Sequence, residues 1–310
     1  MPIFLGLTVR QAMPKKKFDA ARRHHEVRRS FTVVTPNYNM AGHLGPTIES
    51  VLQNLGPGDE YFIIDGGSTD SSTEVIRAHE HRLSGWVSEP DAGYADAVAK
   101  GFRMARGDYL CWVNSGDLLL DGALEKARNS LQRTGADLIF GDDLLIDEQG
   151  NVIQVTNGHA SDLRAMMLYA GWTPLQESCF WTRALYEKVG GIDPAVKYAA
   201  DYDFFLRTSL IGRCEYCPAI FGAFRRHDGQ LSMAKTAQYR AEREECRTRE
   251  LDALPSNALL PLINFYHWFK VRWRVRVHAR KRDMDHLRGK AVGDVVCQDT
   301  GNGHGVARGD

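Results

Sequence analysis

In the first 140 residues, short apolar runs alternate with helical patterns, and each run ends in a polar cluster. The runs lie at residues 31–36, 61–64, 86–87 and 109–113. Between them Ile48, Val51, Leu52 and Leu55 recur at i, i+3, i+4 and i+7, one face of a helix. Ala95, Val98, Ala99 and Phe102 form another such face, and residues 71–81 and 124–131 also read as helical. Strands separated by helical crossovers pair in parallel, so the pattern predicts an α/β fold with a mostly parallel central sheet flanked by helices. The polar clusters are residues 35–39, 65–70, 89–91 and 114–117, one at each strand end. Open parallel sheets bind ligands at the carboxyl ends of their strands. A single cluster of Asp, Asn, Ser and Gly is explained by turns and helix caps. Four in succession point to a site.

Beyond residue 137 the alternation breaks down. Strands are expected at 137–140, 144–146, 152–155 and 178–181, with helices near 161–169, 183–189 and 200–210. This half is expected to complete the sheet and supply a second substrate's pocket. Residues 233–253 read as a charged helix, and the Gly-rich polar tail from Arg288 as disordered. With 43% hydrophobic and 25% charged residues, the chain is neither wholly disordered nor collagen-like. Its six cysteines are scattered, and Cys214-Glu-Tyr-Cys217 lacks the second pair a zinc site needs, which fits a reducing compartment. The apolar run at residues 3–7 is too short for a signal-peptide core, and no stretch is long and apolar enough to span a membrane.

Net charge is zero by cancellation. Residues 1–30 carry +6, residues 31–259 carry −11, residues 260–290 carry +7 and residues 291–310 carry −2. Within 264–282 seven residues are Lys or Arg, none is acidic, and Phe265, Tyr266, Trp268, Phe269 and Trp273 are interleaved with them. Basic stems snorkel while aromatic rings sit among headgroups, so this segment is expected to meet an anionic membrane surface. The alternative is a solvated helix packing its aromatics on the body; the period-two alternation at 271–277 leaves strand open as well. The acidic body argues against a nucleic-acid partner.

The ordered motifs resemble the inverting glycosyltransferases of family 2, over residues 31–228. Thr35-Pro-Asn-Tyr-Asn39 is similar to that family's first-strand signature and Ile64-Asp-Gly-Gly-Ser-Thr-Asp70 to its second. Ser88-Glu-Pro-Asp-Ala-Gly93, followed by Asp96-Ala97 and Lys100-Gly101, resembles the third. Trp112-Val-Asn-Ser-Gly-Asp117 occupies the place of the metal-binding acidic motif. Gly190-Gly-Ile-Asp193, Ala200-Asp-Tyr-Asp-Phe204 and Arg226-His227 resemble acceptor-side and later basic positions.

The resemblance implies a GT-A type nucleotide-sugar-binding fold with a C-terminal helical extension. It also implies a donor site lined by Thr35, Pro36, Asn39, Asp65, Asp91, Asp96, Lys100 and Asn114. Asp65 would accept from a base N–H or a ribose hydroxyl, and Pro36 would stiffen the loop on which the base stacks. Asp117 is implied as a ligand of Mg or Mn, with His227 as a second ligand or phosphate contact. Gly116 brings no side chain where relatives carry a second Asp. Asp201 is implied as the general base, at the head of a stripe formed by Tyr202, Phe205, Leu206 and Ser209. Asp203 lies about 200° round the helix from it, and reads as solvated or paired. Trp172, Thr173, Pro174 and Gln176 form a loop that touches a sugar or packs in the core.

The expected organisation is a basic extension (1–30), a glycosyltransferase domain (31–230), a helical, basic-aromatic membrane-associating extension (231–287) and a disordered tail (288–310). The expected activity is inverting transfer from a nucleotide-diphosphate sugar to a glycan or lipid-linked acceptor, on the cytoplasmic face of the cell membrane. A nucleotidyltransferase would need a Gly-rich basic phosphate loop after the first strand, which residues 35–39 are not. A non-catalytic membrane- or nucleic-acid-binding protein is the third alternative.

Overall fold

Every residue from Phe31 to Asn37 is buried, as a strand is when helices cover both faces of a parallel sheet. The computed structural model describes residues 28–156, 162–227, 235–253, 269, 287–295 and 297. In the first half, β1 (Phe31–Asn37), β2 (Glu60–Asp65), β3 (Gly85–Ser88) and β4 (Tyr109–Trp112) alternate with α1 (Ala41–Asn54), α2 (Ser72–His79) and α3 (Tyr94–Met104). Then come β5 (Leu118–Leu119), α4 (Ala123–Thr134), β6 (Leu138–Ile146), β7 (Val152–Thr156) and the short α5 (Leu163–Ala165). The second half ends with β8 (Cys179–Thr182), α6 (Arg183–Lys188), α7 (Ala200–Ile211), β9 (Cys214–Arg225) and α8 (Thr236–Asp252).

The strands form one sheet in the order β3-β2-β1-β4-β8-β6-β9-β5, with β7 beside β6. β3, β2, β1 and β4 are parallel. β8 is antiparallel to both β4 and β6, while β6 and β9 are parallel. The antiparallel pairs therefore fall where the sequence alternation stops.

Several local readings change. The strands expected at 137–140 and 144–146 are one continuous β6. Gly141 belongs in it because a Cβ there would lie 2.4 Å from the Phe221 ring. Asp142 and Asp143 are buried in it and bonded: Tyr216 Oη donates to Asp142 (2.8 Å) and Ser178 Oγ to Asp143 (2.6 Å). β9 was not expected, because Pro218 and Gly222 interrupt its apolar run. Pro218 falls at the register shift between β6 and β9, where a missing N–H costs no ladder bond.

Residues 288–295, within the tail expected to be disordered from 288, are folded onto the body. Leu287 and Val295 are buried in a small core with Leu144, Ile146 and Val152, and Gly289 N donates to Val152 O at 2.9 Å. At the other end residues 28–30 belong to the body. Arg28 pairs with Asp59 at 2.9 Å, Arg128 Nε donates to Arg29 O at 2.8 Å, and Ser30 N donates to Asp108 at 3.0 Å. Of the segment 264–282 expected to meet a membrane surface, only Phe269 lies among the described residues, where its side chain is exposed. Among those residues no helix is long and apolar enough to cross a membrane.

Two packing features place the site. Lys100-Gly101 brings α3 against β1 so closely that a Cβ on Gly101 would lie 2.4 Å from Val34. Helix α7 is buried nearly all round. One side stacks Phe205 on Trp112, with ring centroids 5.6 Å apart, and α8 covers another side.

Candidate active site

The ends of the four parallel strands are joined by one chain of side-chain hydrogen bonds. Ser115, just past β4, donates to Asn37 Oδ1 at 2.8 Å. Asn37, the last residue of β1, donates to Asp65 Oδ1 at 2.6 Å. Ser88, the last residue of β3, donates to Asp65 Oδ2 at 2.6 Å. Ser68 adds its hydroxyl at 2.5 Å and its backbone N–H at 3.0 Å. Burial alone would raise the pKa of Asp65, but the Ser68, Ser88 and Asn37 donors outweigh it and hold the carboxyl below its ordinary value. Asp65 is thus an ionised hub.

The turn after β2 explains its glycines. A Cβ on Gly66 would lie 2.8 Å from the Asp91 carboxylate, and Gly67 has φ +78° with Pro90 at 3.1 Å. The pair lets Glu89-Pro90-Asp91 close over the turn. Asp70 caps two helices at once, accepting from Ala41 N (2.9 Å) and Ser72 N (3.0 Å). Asn39, at φ +52°, accepts from Thr69 N at 2.8 Å.

Asp91 accepts from Gly93 N at 2.8 Å. Burial pushes its carboxyl up, as do the Asp96 and Asp65 charges, against the pull of Gly93 and Lys100. Asp96 accepts from Ala92 N (3.2 Å), and Lys100 pairs with Glu89 (3.0 Å) and Asp96 (3.5 Å). Carboxylates therefore dominate this edge, which suits hydroxyl and base N–H donors better than bare phosphates.

Two expected contacts are corrected. Thr35 is fully buried and its hydroxyl bonds Tyr61 Oη at 2.9 Å, so its side chain faces the core. Pro36 is a buried residue of β1, not part of a stacking loop. The ring exposed at this strand end is Tyr38, 62% accessible.

Asp117 is also corrected. It is 4% exposed, and accepts from Arg225 N and Gln176 Nε2, each at 3.0 Å. Its carboxylate is turned inward onto these two protein donors. Asn114 Oδ1 is a buried acceptor with no protein donor. The His227 ring lies 5.4 Å from the His43 ring, and the Gly116 Cβ position is 3.9 Å from His43 Cβ. Among the described residues no group of three or more His, Cys, Asp or Glu is placed to hold a metal.

Asp117, Asp143 and Glu177 form a buried acid cluster that the sequence did not reveal. Burial pushes all three pKa values up, Asp117 to about 7. Asp143 and Asp117 raise Glu177 further, and the Glu177 and Asp143 carboxyls are close enough to share a proton. Such groups hold protons in the folded state that they release in the unfolded chain. For each the folded pKa lies above the unfolded one, so its stabilisation is complete below the unfolded carboxyl pKa and is lost as pH rises through the folded one, about 7 for Asp117. Glu177→Gln is expected to leave the melting temperature nearly unchanged at pH 5 and raise it by several degrees over wild type at pH 8. Parallel pH–stability curves for the two proteins would refute this.

Asp201 stands in the first turn of α7, with Oδ1 buried and without a donor. Burial raises its pKa to about 6, while Tyr239 and nearby backbone N–H groups pull it down. Tyr94 Oη accepts from Ala200 N (3.0 Å) and Asp201 N (3.3 Å). Tyr94 directly follows the 89–93 loop, so Asp201 stands beside the strand-end edge. Asp203 points elsewhere: it is fully buried and bound by Arg207 (2.7 Å) and Arg249. In the loop before β8, Gln176 turns in to Asp117 and Trp172 packs 6.0 Å from Phe140.

Comparisons with known proteins converge on one class. The profile described as Glycosyl transferase family 2 matches residues 32–181. An uncharacterized glycosyltransferase of Mycobacterium tuberculosis is 32% identical over 189 residues, covering 59% of this chain and 70% of the relative. The mannosyltransferase PcManGT from Pyrobaculum calidifontis, in complex with GDP-Man and Mn2+, superposes with a TM-score of 0.55 at 18% identity, covering 84% of this chain and 77% of that one. Staphylococcus aureus TarS 1-349 in complex with UDP-GlcNAc gives 0.52 at 14% identity, covering 66% and 61%. At these identities the two structures speak for the fold.

Proposed function

Because this chain belongs to glycosyltransferase family 2, we propose that it moves a sugar, with inversion, from a nucleotide-diphosphate sugar to an acceptor hydroxyl. The observation that carries this reading is the hydrogen-bonded edge of β3, β2, β1 and β4 with Asp201 held next to it by Tyr94. The nucleoside binds over that edge, its base against the exposed Tyr38 and its N–H and hydroxyl groups toward Asn39, while Asp65, fully buried and bound by Asn37, Ser68 and Ser88, holds the strand ends together beneath it instead of meeting the nucleoside as expected. Asp91 and Asp96 accept from sugar hydroxyls, with Lys100 balancing their charge.

The Asp201 carboxylate takes the proton of the acceptor hydroxyl. The acceptor oxygen bonds to the anomeric carbon on the face opposite the diphosphate, and the bond to the diphosphate breaks. The charge left on the diphosphate has to be neutralised. The Mn2+ mannosyltransferase suggests a divalent ion, and Asn114 Oδ1 and His227 are the residues that would hold one, with the diphosphate as its other ligand. When bound, the ion would stabilise the leaving group.

The acceptor we favour is a lipid-linked or cell-surface glycan, reached on the inner face of the membrane through the basic-aromatic residues 264–282. Flotation on anionic liposomes should be lost on truncation before Pro255; equal flotation would remove this part of the reading. The transferase reading is tested by nucleoside-diphosphate release from a panel of UDP- and GDP-sugars with Mn2+ or Mg2+. At least one donor should turn over. Release from none of them would count against it.

A further inference from the structure

Helix α8 lies outside the residues matched by the family profile, yet it grips the chain on both sides of Asp201. Glu242 accepts from the backbone N–H groups of Lys197 (3.1 Å), Tyr198 (2.6 Å) and Ala199 (2.9 Å), the residues that lead into α7. Its Oε1 takes the first and its Oε2 the other two. The next two N–H groups, of Ala200 and Asp201, go to Tyr94 Oη of α3. The first N–H groups of a helix have no intrahelical partner, and α7 has no side-chain cap of its own. Five consecutive backbone N–H groups, 197–201, are thus fixed by two other helices. Just past Asp201, Arg243 lies 5.9 Å over the Tyr202 ring and Arg249 pairs with Asp203. Glu242, Cys246 and Arg249 recur at i, i+4 and i+7, so they share one face of α8, and Cys246 is buried there. That face meets α7 at the turn that carries Asp201.

We propose that Glu242 is a positioning residue for Asp201: by capping the entry to α7 from another helix, it fixes where Asp201 stands at the strand-end edge. This rests on Asp201 being the general base. A carboxylate suits the task. The helix dipole favours an anion beside a helix start, and two oxygens hold three N–H groups where one hydroxyl accepts at most two. A base displaced by about an ångström can lose on the order of a hundredfold in rate, so the cap acts on turnover without touching the substrate.

The test compares full-length wild type, Glu242→Ala, Glu242→Gln, Arg247→Ala and Asp201→Asn by donor-dependent nucleoside-diphosphate release, well below every variant's melting temperature. Glu242→Ala should lower kcat about tenfold or more, with the donor KM within about twofold, since Asn39, Asp91 and Asp96 lie on other elements. Glu242→Gln keeps the length and one acceptor oxygen, and its kcat should fall only about threefold. Arg247→Ala is the control for α8. It gives up the bonds to Glu244 (2.9 Å) and Leu168 O (3.2 Å) without touching residues 197–199, and should turn over as wild type does. Amide exchange in the resting protein gives a readout independent of activity: the N–H groups of 197–199 should exchange about tenfold faster or more in Glu242→Ala. Unchanged exchange overturns the proposal, as does faster exchange beside a wild-type kcat. Should Glu242→Ala not fold, the same comparison is made on Glu242→Gln, and faster exchange with a wild-type kcat again overturns it. A loss in Arg247→Ala equal to that in Glu242→Ala overturns it too, because the effect is then a general loosening of α8. Near-normal turnover by Asp201→Asn overturns the base assignment and the proposal with it, whatever the exchange shows.

Discussion

Asp201→Asn is expected to slow sugar transfer about 10²- to 10⁴-fold, the range a positioned general base contributes. The amide has nearly the same shape, but it takes no proton at neutral pH. Asp201 Oδ1 has no protein donor to lose, so the variant should fold and still bind donor. The raised pKa of Asp201, about 6, sets the pH dependence. Above it the carboxylate is free to take a proton, and below it wild-type transfer should decline. Asp203→Asn provides the contrast. That carboxylate is buried between Arg207 and Arg249, so its loss should lower stability first. Calorimetric donor titration alongside turnover separates the two outcomes. If Asp201→Asn turns over near normally while folded, another group is the base.

The second large effect lies away from the chemistry. Asp59 anchors the start of the sheet, pairing with Arg28 (2.9 Å) and Arg128 (2.8 Å) and accepting from Phe31 N (2.8 Å) and Gly56 N (2.9 Å). Burial would raise its pKa, but these partners outweigh it and hold it below the ordinary value. Arg128 is 2% exposed and lies 5.2 Å over the Phe31 ring. Asp59→Ala takes the partner from Nη2 of that buried guanidinium, which keeps only Arg29 O and Glu125, and strands two backbone donors. Breaking a buried pair from one side costs about 3–5 kcal/mol, so the melting temperature should fall on the order of ten degrees. A fall of one or two degrees would mean that Arg128 finds water or another acceptor. Its carboxylate is below the ordinary range, so the stabilisation Asp59 provides is present above the unfolded carboxylate pKa and is lost as pH falls through the folded one.

The parallel half of the sheet was legible because strands covered on both faces read as plain apolar runs, punctuated by Gly and Asp. Asp201 could be placed from the helical stripe behind it. What was not legible depends on contacts distant in sequence. Nothing local says that Asp117 turns inward, because a turn has no periodicity to distinguish its two sides, and its partners Gln176 and Arg225 are far along the chain. Glu177 and Asp143 looked like ordinary polar residues until β6 and β8 brought them together in the interior. β9 was hidden by Pro218, which its register shift accommodates. Glu242 lies in a charged helix with no motif, and only the packing of α8 on α7 brings its carboxylate to the backbone N–H groups of Tyr198 and Ala199. The zero net charge carries no information on distribution, since an acidic body and basic flanks cancel in the sum.

The central claim is that a nucleotide-sugar lies over the joined ends of β3, β2, β1 and β4. Hydrogen–deuterium exchange, with and without each of a panel of UDP- and GDP-sugars, tests it most directly. At least one donor should slow exchange at residues 66–70, 92–93 and 114–116, where backbone N–H groups surround Asp65, Asp91 and Asn114. No protection from any donor, or protection confined to other parts of the chain, would contradict it.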